Sequence, residues 1–132
     1  MASSYNSIGI VNYSDKDGWI TIKVDYSIVN YYKWWIEKFI FKKISTPLYS
    51  PHITVLPSKH NGDFRNHKNW KLHDKEVVQF CYNSVIMTDS LVGSRYFWLI
   101  VKCPIVSKIR EEFGLNPKLK WTEHCTIGFL GN

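Results

Sequence analysis

The order of its elements predicts an α+β fold built on two antiparallel sheets. Three observations carry that prediction. Each half of the chain opens on two runs with strand-like alternation joined by a turn. Each such pair is followed by a segment with helical spacing. Each of those segments leads into a short apolar strand in which a His and a Thr stand two residues apart.

Residues 7–13 read as a first strand, with Ile8, Ile10 and Asn12 on one face. Ser14-Asp15-Lys16-Asp17-Gly18 is a turn by composition. Residues 19–24 alternate cleanly, with Ile20, Ile22 and Val24 on one side and Trp19, Thr21 and Lys23 on the other. The two runs form a hairpin. Asp25 or Ser27 can cap the helix that follows. Ile28, Tyr32, Trp35, Ile36, Phe39 and Lys43 then fall on one helical stripe, which reads as packing against a sheet. Pro47 closes the helical stretch, because the residue before a proline is biased away from helix.

Pro51 leads into the first His-x-Thr strand and Pro57 closes it. Residues 58–75 are polar and basic and read as a surface loop with room for a short helical piece. The spacing of His60, His67 and His73 fits neither a helical ligand pair nor a knuckle, so it does not read as a metal site. Residues 76–88 and 96–103 form a second hairpin around a turn containing Gly93. Pro104 opens a second, shorter helix carrying Ile105, Val106, Ile109 and Phe113. Gly114 stops it, Pro117 bars its continuation, and the second His-x-Thr strand follows.

The two matching strands are Pro51-His52-Ile53-Thr54-Val55-Leu56 and Glu123-His124-Cys125-Thr126-Ile127-Gly128-Phe129. Residues i and i+2 of a strand share a face. Each strand therefore sets an imidazole beside a hydroxyl, while Ile53 and Cys125 turn to the core. Brought together, the strands would face two imidazoles and two hydroxyls into one gap. Imidazole is the side chain whose ordinary pKa lies nearest neutrality, so a pair can serve as general base and general acid in one reaction. The Thr54 and Thr126 hydroxyls can donate to an anion held between them. That set suits cleavage of a phosphodiester without a metal. A histidine on a strand can also simply bond a neighbouring carbonyl; the matching partner motif is what favours catalysis.

The repeated H-x-T pair resembles the signature of the 2H phosphoesterase superfamily, which includes RNA cyclic phosphodiesterases and 2′-5′ RNA ligase-like proteins. The resemblance implies a single domain over residues 1–132 with a bilobal fold: two sheets with flanking helices, related by a pseudo-twofold. It implies His52 and His124 as the acid–base pair, Thr54 and Thr126 as holders of the phosphate oxygens, and no cofactor. Within the superfamily, Gly18-Trp19-Ile20, Tyr31-Tyr32-Lys33-Trp34-Trp35 and the two motifs are similar to the bacteriophage anti-CBASS nucleases. That similarity implies hydrolysis of cyclic di- and trinucleotide messengers in the cytoplasm of a bacterial host.

Composition agrees with a globular chain of this kind. It has 132 residues, 45% of them apolar and 16% aromatic, with six Trp. A net charge of +6 favours an anionic partner, yet the basic residues are too few and too scattered for a long nucleic-acid track. Cys81, Cys103 and Cys125 lie in apolar runs without CxxC spacing and read as buried, reduced thiols. No run is long enough to span a membrane, and the first residues lack the pattern of a signal peptide, so a cytoplasmic protein is expected.

Tyr13, Trp70, Lys120 and Trp121 are candidates for contact with a base or phosphate, core or surface roles being open to each. Two further functions stay open at this level: RNA-end processing by the same chemistry, and a non-catalytic module that sequesters a nucleotide.

Overall fold

A computed structural model describes residues 4–47, 49–91, 94–119 and 122–131. The fold is α+β. Its elements are β1 (Ser4–Tyr13), β2 (Ile20–Val24), α1 (Tyr26–Ile40), β3 (His52–Leu56), α2 (Ser58–Asn61), β4 (Val77–Leu91), β5 (Ser94–Lys102), α3 (Pro104–Glu112) and β6 (His124–Gly131).

The element order predicts two sheets; the strands instead close into one antiparallel ring, β1-β2-β3-β6-β5-β4. Two cross-half pairings close it. β1 runs along β4 from Ser4↔Asn83 to Ile10↔Val77, and β3 meets β6 at Ile53↔Cys125. Each would otherwise leave a strand edge with unpaired backbone groups. The pairing with β4 also explains why β1 begins at Ser4, earlier than alternation alone suggests. Exchanging β1, β2 and β3 with β4, β5 and β6 maps the ring onto itself, so the repeat of elements is a repeat of topology.

One face of the ring carries the core. Ile20, Ile22, Ile53, Val55, Leu99, Cys125 and Ile127 are at most 2% exposed. Val29 and Ile36 of α1 and Val106 and Ile109 of α3 join the same cluster. Full burial of each such side chain contributes about 1.5–3 kcal/mol. In β1 the buried residues are Gly9, Val11 and Tyr13, whereas Ile8 and Ile10 lie open on the opposite face.

α1 starts where Asp25 accepts a 2.7 Å hydrogen bond from the Ser27 amide, an N-cap that also lowers the Asp25 pKa. It stops at Ile40, short of Lys43, because Phe41 turns left-handed and the Ile44 amide folds back onto the Glu37 carboxylate at 2.8 Å. The predicted stripe is buried only in part: Tyr32 and Ile36 are covered, but Trp35 is 49% and Phe39 86% exposed. α3 is tied to β3 by buried Arg110, whose guanidinium donates to the carbonyls of Val55 at 3.0 Å and Asn116 at 2.7 Å.

The segment between β3 and β4 is pinned rather than loose. Trp70 stands edge-on to Tyr13 with ring centres 5.1 Å apart, and its indole N–H donates to Asp15. His73 is buried between two carboxylates, with Nδ1 2.8 Å from Glu76 and Nε2 2.8 Å from Glu112. The three cysteines are free thiols; Cys103 and Cys125 are buried and Cys81 is partly so. Among the described residues, no helix is long and apolar enough to cross a membrane.

Candidate active site

The Ile53↔Cys125 pair fixes the relation of the two motifs. Stepping one residue each way in an antiparallel ladder sets His52 opposite Thr126 and Thr54 opposite His124. Directly opposed residues have Cα atoms about 4.5–5.5 Å apart, and diagonal ones about 7–8 Å. The two imidazoles are thus diagonal neighbours with a hydroxyl beside each. All four side chains are partly buried, while Ile53 and Cys125 between them are 0% and 2% exposed on the other face. The core holds the strands, and the strands present the polar set.

The histidines are oriented alike. His52 Nδ1 lies 2.8 Å from the Ser50 carbonyl, and His124 Nδ1 lies 2.9 Å from the Thr122 carbonyl. A carbonyl only accepts, so each Nδ1 carries the proton. Each Nε2 is then the nitrogen left for chemistry: a base when neutral, an acid when protonated. Both contacts reach two residues back along the chain, so the two motifs share tautomer as well as spacing. His52 also opens onto a cavity of about 190 Å3 shared with Ser50, Tyr96, Thr126 and Phe129.

The flanks of this set differ. On β2, Thr21 stands opposite Thr54 and exposed Lys23 opposite His52. On β5, Trp98 stands opposite Thr126 and Ile100 opposite His124. The Trp98 ring centre is 6.4 Å from that of His124. One side of the site is therefore small, polar and cationic, and the other is apolar and aromatic.

Two of the candidates for substrate contact, Tyr13 and Trp70, fall elsewhere. Tyr13 shares the face of Ile20, its partner on β2, and is 4% exposed. Burial pushes its phenol up to about 12. Trp70 packs against Tyr13 on that core side. Lys120 and Trp121 lie outside the described residues. Tyr96, Trp98 and Lys23 are the neighbours of the motifs that sequence reading did not single out. The signal for Tyr96 and Trp98 was the alternation of Tyr96, Trp98 and Ile100 against Phe97, Leu99 and Val101. With apolar residues on both faces, that run reads as a fully buried strand.

Glu123 precedes the second motif but turns from it, its carboxylate accepting from the Cys103 amide at 3.1 Å; burial raises its pKa. Burial likewise pushes the Cys125 thiol to about 12, which keeps it a core side chain rather than a nucleophile. Among the described residues, no group of three or more His, Cys, Asp or Glu is placed to hold a metal ion. Two imidazoles presenting Nε2 beside two hydroxyls can bind a tetrahedral anion, take one proton and deliver another. Comparison with family models, with curated proteins and with solved structures finds no match to this chain.

Proposed function

We propose that the protein is a metal-independent phosphodiesterase of the 2H type, acting on cyclic di- and trinucleotide second messengers such as 3′,3′-cyclic GMP-AMP. The observation that carries this reading is the pair of imidazoles on adjacent strands, each fixed through Nδ1 with Nε2 left for proton transfer.

A phosphodiester seated between Thr54 and Thr126 has its non-bridging oxygens on their hydroxyls, which stabilise the charge that develops as phosphorus becomes five-coordinate. One imidazole takes the proton of the neighbouring 2′-hydroxyl. The 2′ oxygen bonds to phosphorus, the bond from phosphorus to the 5′ oxygen breaks, and the second imidazole gives its proton to that leaving oxygen. The product is a linear nucleotide ending in a 2′,3′-cyclic phosphate. Water opens that ring with the two histidines exchanging roles, as microscopic reversibility allows. Trp98 offers a ring on which a base can stack, and Lys23 a cation for a second phosphate. This reading puts the protein in the cytoplasm of a bacterial host, counteracting CBASS antiphage defence.

The test offers two substrates side by side: 3′,3′-cyclic GMP-AMP, and a short RNA ending in a 2′,3′-cyclic phosphate. Consumption of the cyclic dinucleotide at the higher kcat/KM supports the reading. Consumption of the RNA end alone would move the protein to RNA-end processing.

A further inference from the structure

A second cavity, about 980 Å3, lies away from the histidines, between α1 and the β4–β5 hairpin. Phe97 lines it, whereas the adjacent Tyr96 lines the cavity at His52 and Thr126. Consecutive strand residues point to opposite faces, so the two cavities lie on opposite sides of β5.

Three features of this cavity select a ligand. Its walls are aromatic, and Tyr31 and Trp35 among them make only edge contacts to neighbouring rings. Tyr31 meets Tyr32 at 89° and Trp35 at 74°, and Tyr32 meets Tyr82 at 87°, all edge contacts that leave ring faces unstacked. Tyr31 and Trp35 are 57% and 49% exposed. Its polar side chains, hydroxyls and one guanidinium, can all donate. The hydroxyl of Tyr32, a residue only 7% exposed, makes no hydrogen bond to a described residue, and burial keeps that phenol protonated by pushing it to about 12. Its charge is positive, since among the described residues that line it Arg95 is the one ionised side chain and none is a carboxylate. Open ring faces call for a planar ring system. Donors and a cation without a carboxylate call for an anion. The volume is in the range of about 300–1,000 Å3 typical of small-molecule sites. An apolar helix or a second copy of this basic chain would leave the cation and the hydroxyl unanswered.

We infer that this cavity is a second, non-catalytic ligand site for a purine nucleotide, with the base stacked on Tyr31 and Trp35 and the phosphate on Arg95. It is independent of the chemistry at the histidines. The test is calorimetric titration with adenosine 5′-monophosphate of the native chain, Tyr31→Ala, Arg95→Ala and the double variant His52→Ala/His124→Ala. Tyr31 and Arg95 are surface residues, so their variants keep the fold. One site per chain is expected. Tyr31→Ala weakens it about tenfold or more through lost stacking. Arg95→Ala weakens the nucleotide but leaves adenosine unchanged, and the double histidine variant binds as the native chain does. Loss of binding in the histidine variant would put the nucleotide at the catalytic face and overturn the inference. So would no binding at millimolar nucleotide, or a native dimer in sedimentation that Tyr31→Ala dissociates.

Discussion

At His52 and His124 a single hydrogen bond decides what the residue can do. A histidine whose Nδ1 is committed to a carbonyl has one tautomer and one reactive nitrogen, and here the same contact occurs twice. The shared face of His and Thr was legible in the sequence, because a spacing of two sets them side by side whatever the rest of the fold does; the contact through Nδ1 was legible only as the alternative to catalysis. Which neighbours they would have was not legible, since strand order is a long-range property. Trp98 shows this. It reads as one of a run of buried apolar residues, and only pairing with Thr126 turns it into a wall of the site. Trp98→Ala should raise KM for 3′,3′-cyclic GMP-AMP about tenfold or more, because base stacking on an aromatic side chain is worth about 1–3 kcal/mol. The kcat should hardly move, since the imidazoles are untouched. A steady-state titration separates the two, and an unchanged KM would remove Trp98 from the substrate path. Tyr13 and Trp70 went the other way: Tyr13 is buried in the core and Trp70 packs edge-on against it from the turn side.

Among the elements, β6 depends on a close approach that no periodicity announces. Ser45 and Phe129 exchange backbone hydrogen bonds of 2.8 Å, which brings the chain after α1 across Gly128. A Cβ at Gly128 would meet the Ser45 carbonyl oxygen and, at 3.2 Å, the Ile44 side chain. Gly128→Ala should therefore cost about 1–3 kcal/mol, as overpacking does. Gly131→Ala, where a Cβ meets open space, is the control. Urea denaturation of both variants gives the comparison, and equal midpoints would contradict it.

The His73 clip is a second device at this level, joining the start of β4 to α3. Burial disfavours the charged imidazole, but Glu112 and then Glu76 outweigh it, so the pKa stands above its ordinary value of 6.5. A raised folded-state pKa means the clip contributes fully below about pH 6.5 and is lost as pH climbs through the raised value. His73→Gln should therefore lower Tm more at about pH 5.5 than at about pH 9. Thermal melts at both values check the sign; a deficit that grows with pH would refute it.

For the whole molecule, the fold class and the repeat were readable because hydrophobic period and turn chemistry are local. Closure of the strands into one ring was not, because it rests on β1 meeting β4 and β3 meeting β6 across most of the chain. Closure is also what brings the two motifs onto adjacent strands, so the fold and the candidate site share one cause. The exposed aromatic side of α1 escaped prediction for a related reason: helical spacing marks a stripe as apolar without saying how far the sheet reaches to cover it. The central claim is that two imidazoles, with no metal, break a cyclic nucleotide. The most direct test incubates the native chain, His52→Ala and His124→Ala with 3′,3′-cyclic GMP-AMP in excess EDTA and follows products by chromatography with mass detection. The account predicts a linear product from the native chain, a bell-shaped dependence of kcat/KM on pH, and a loss of about 10²–10⁴-fold in each variant. An intact dinucleotide, or a variant as active as the native chain, would contradict it.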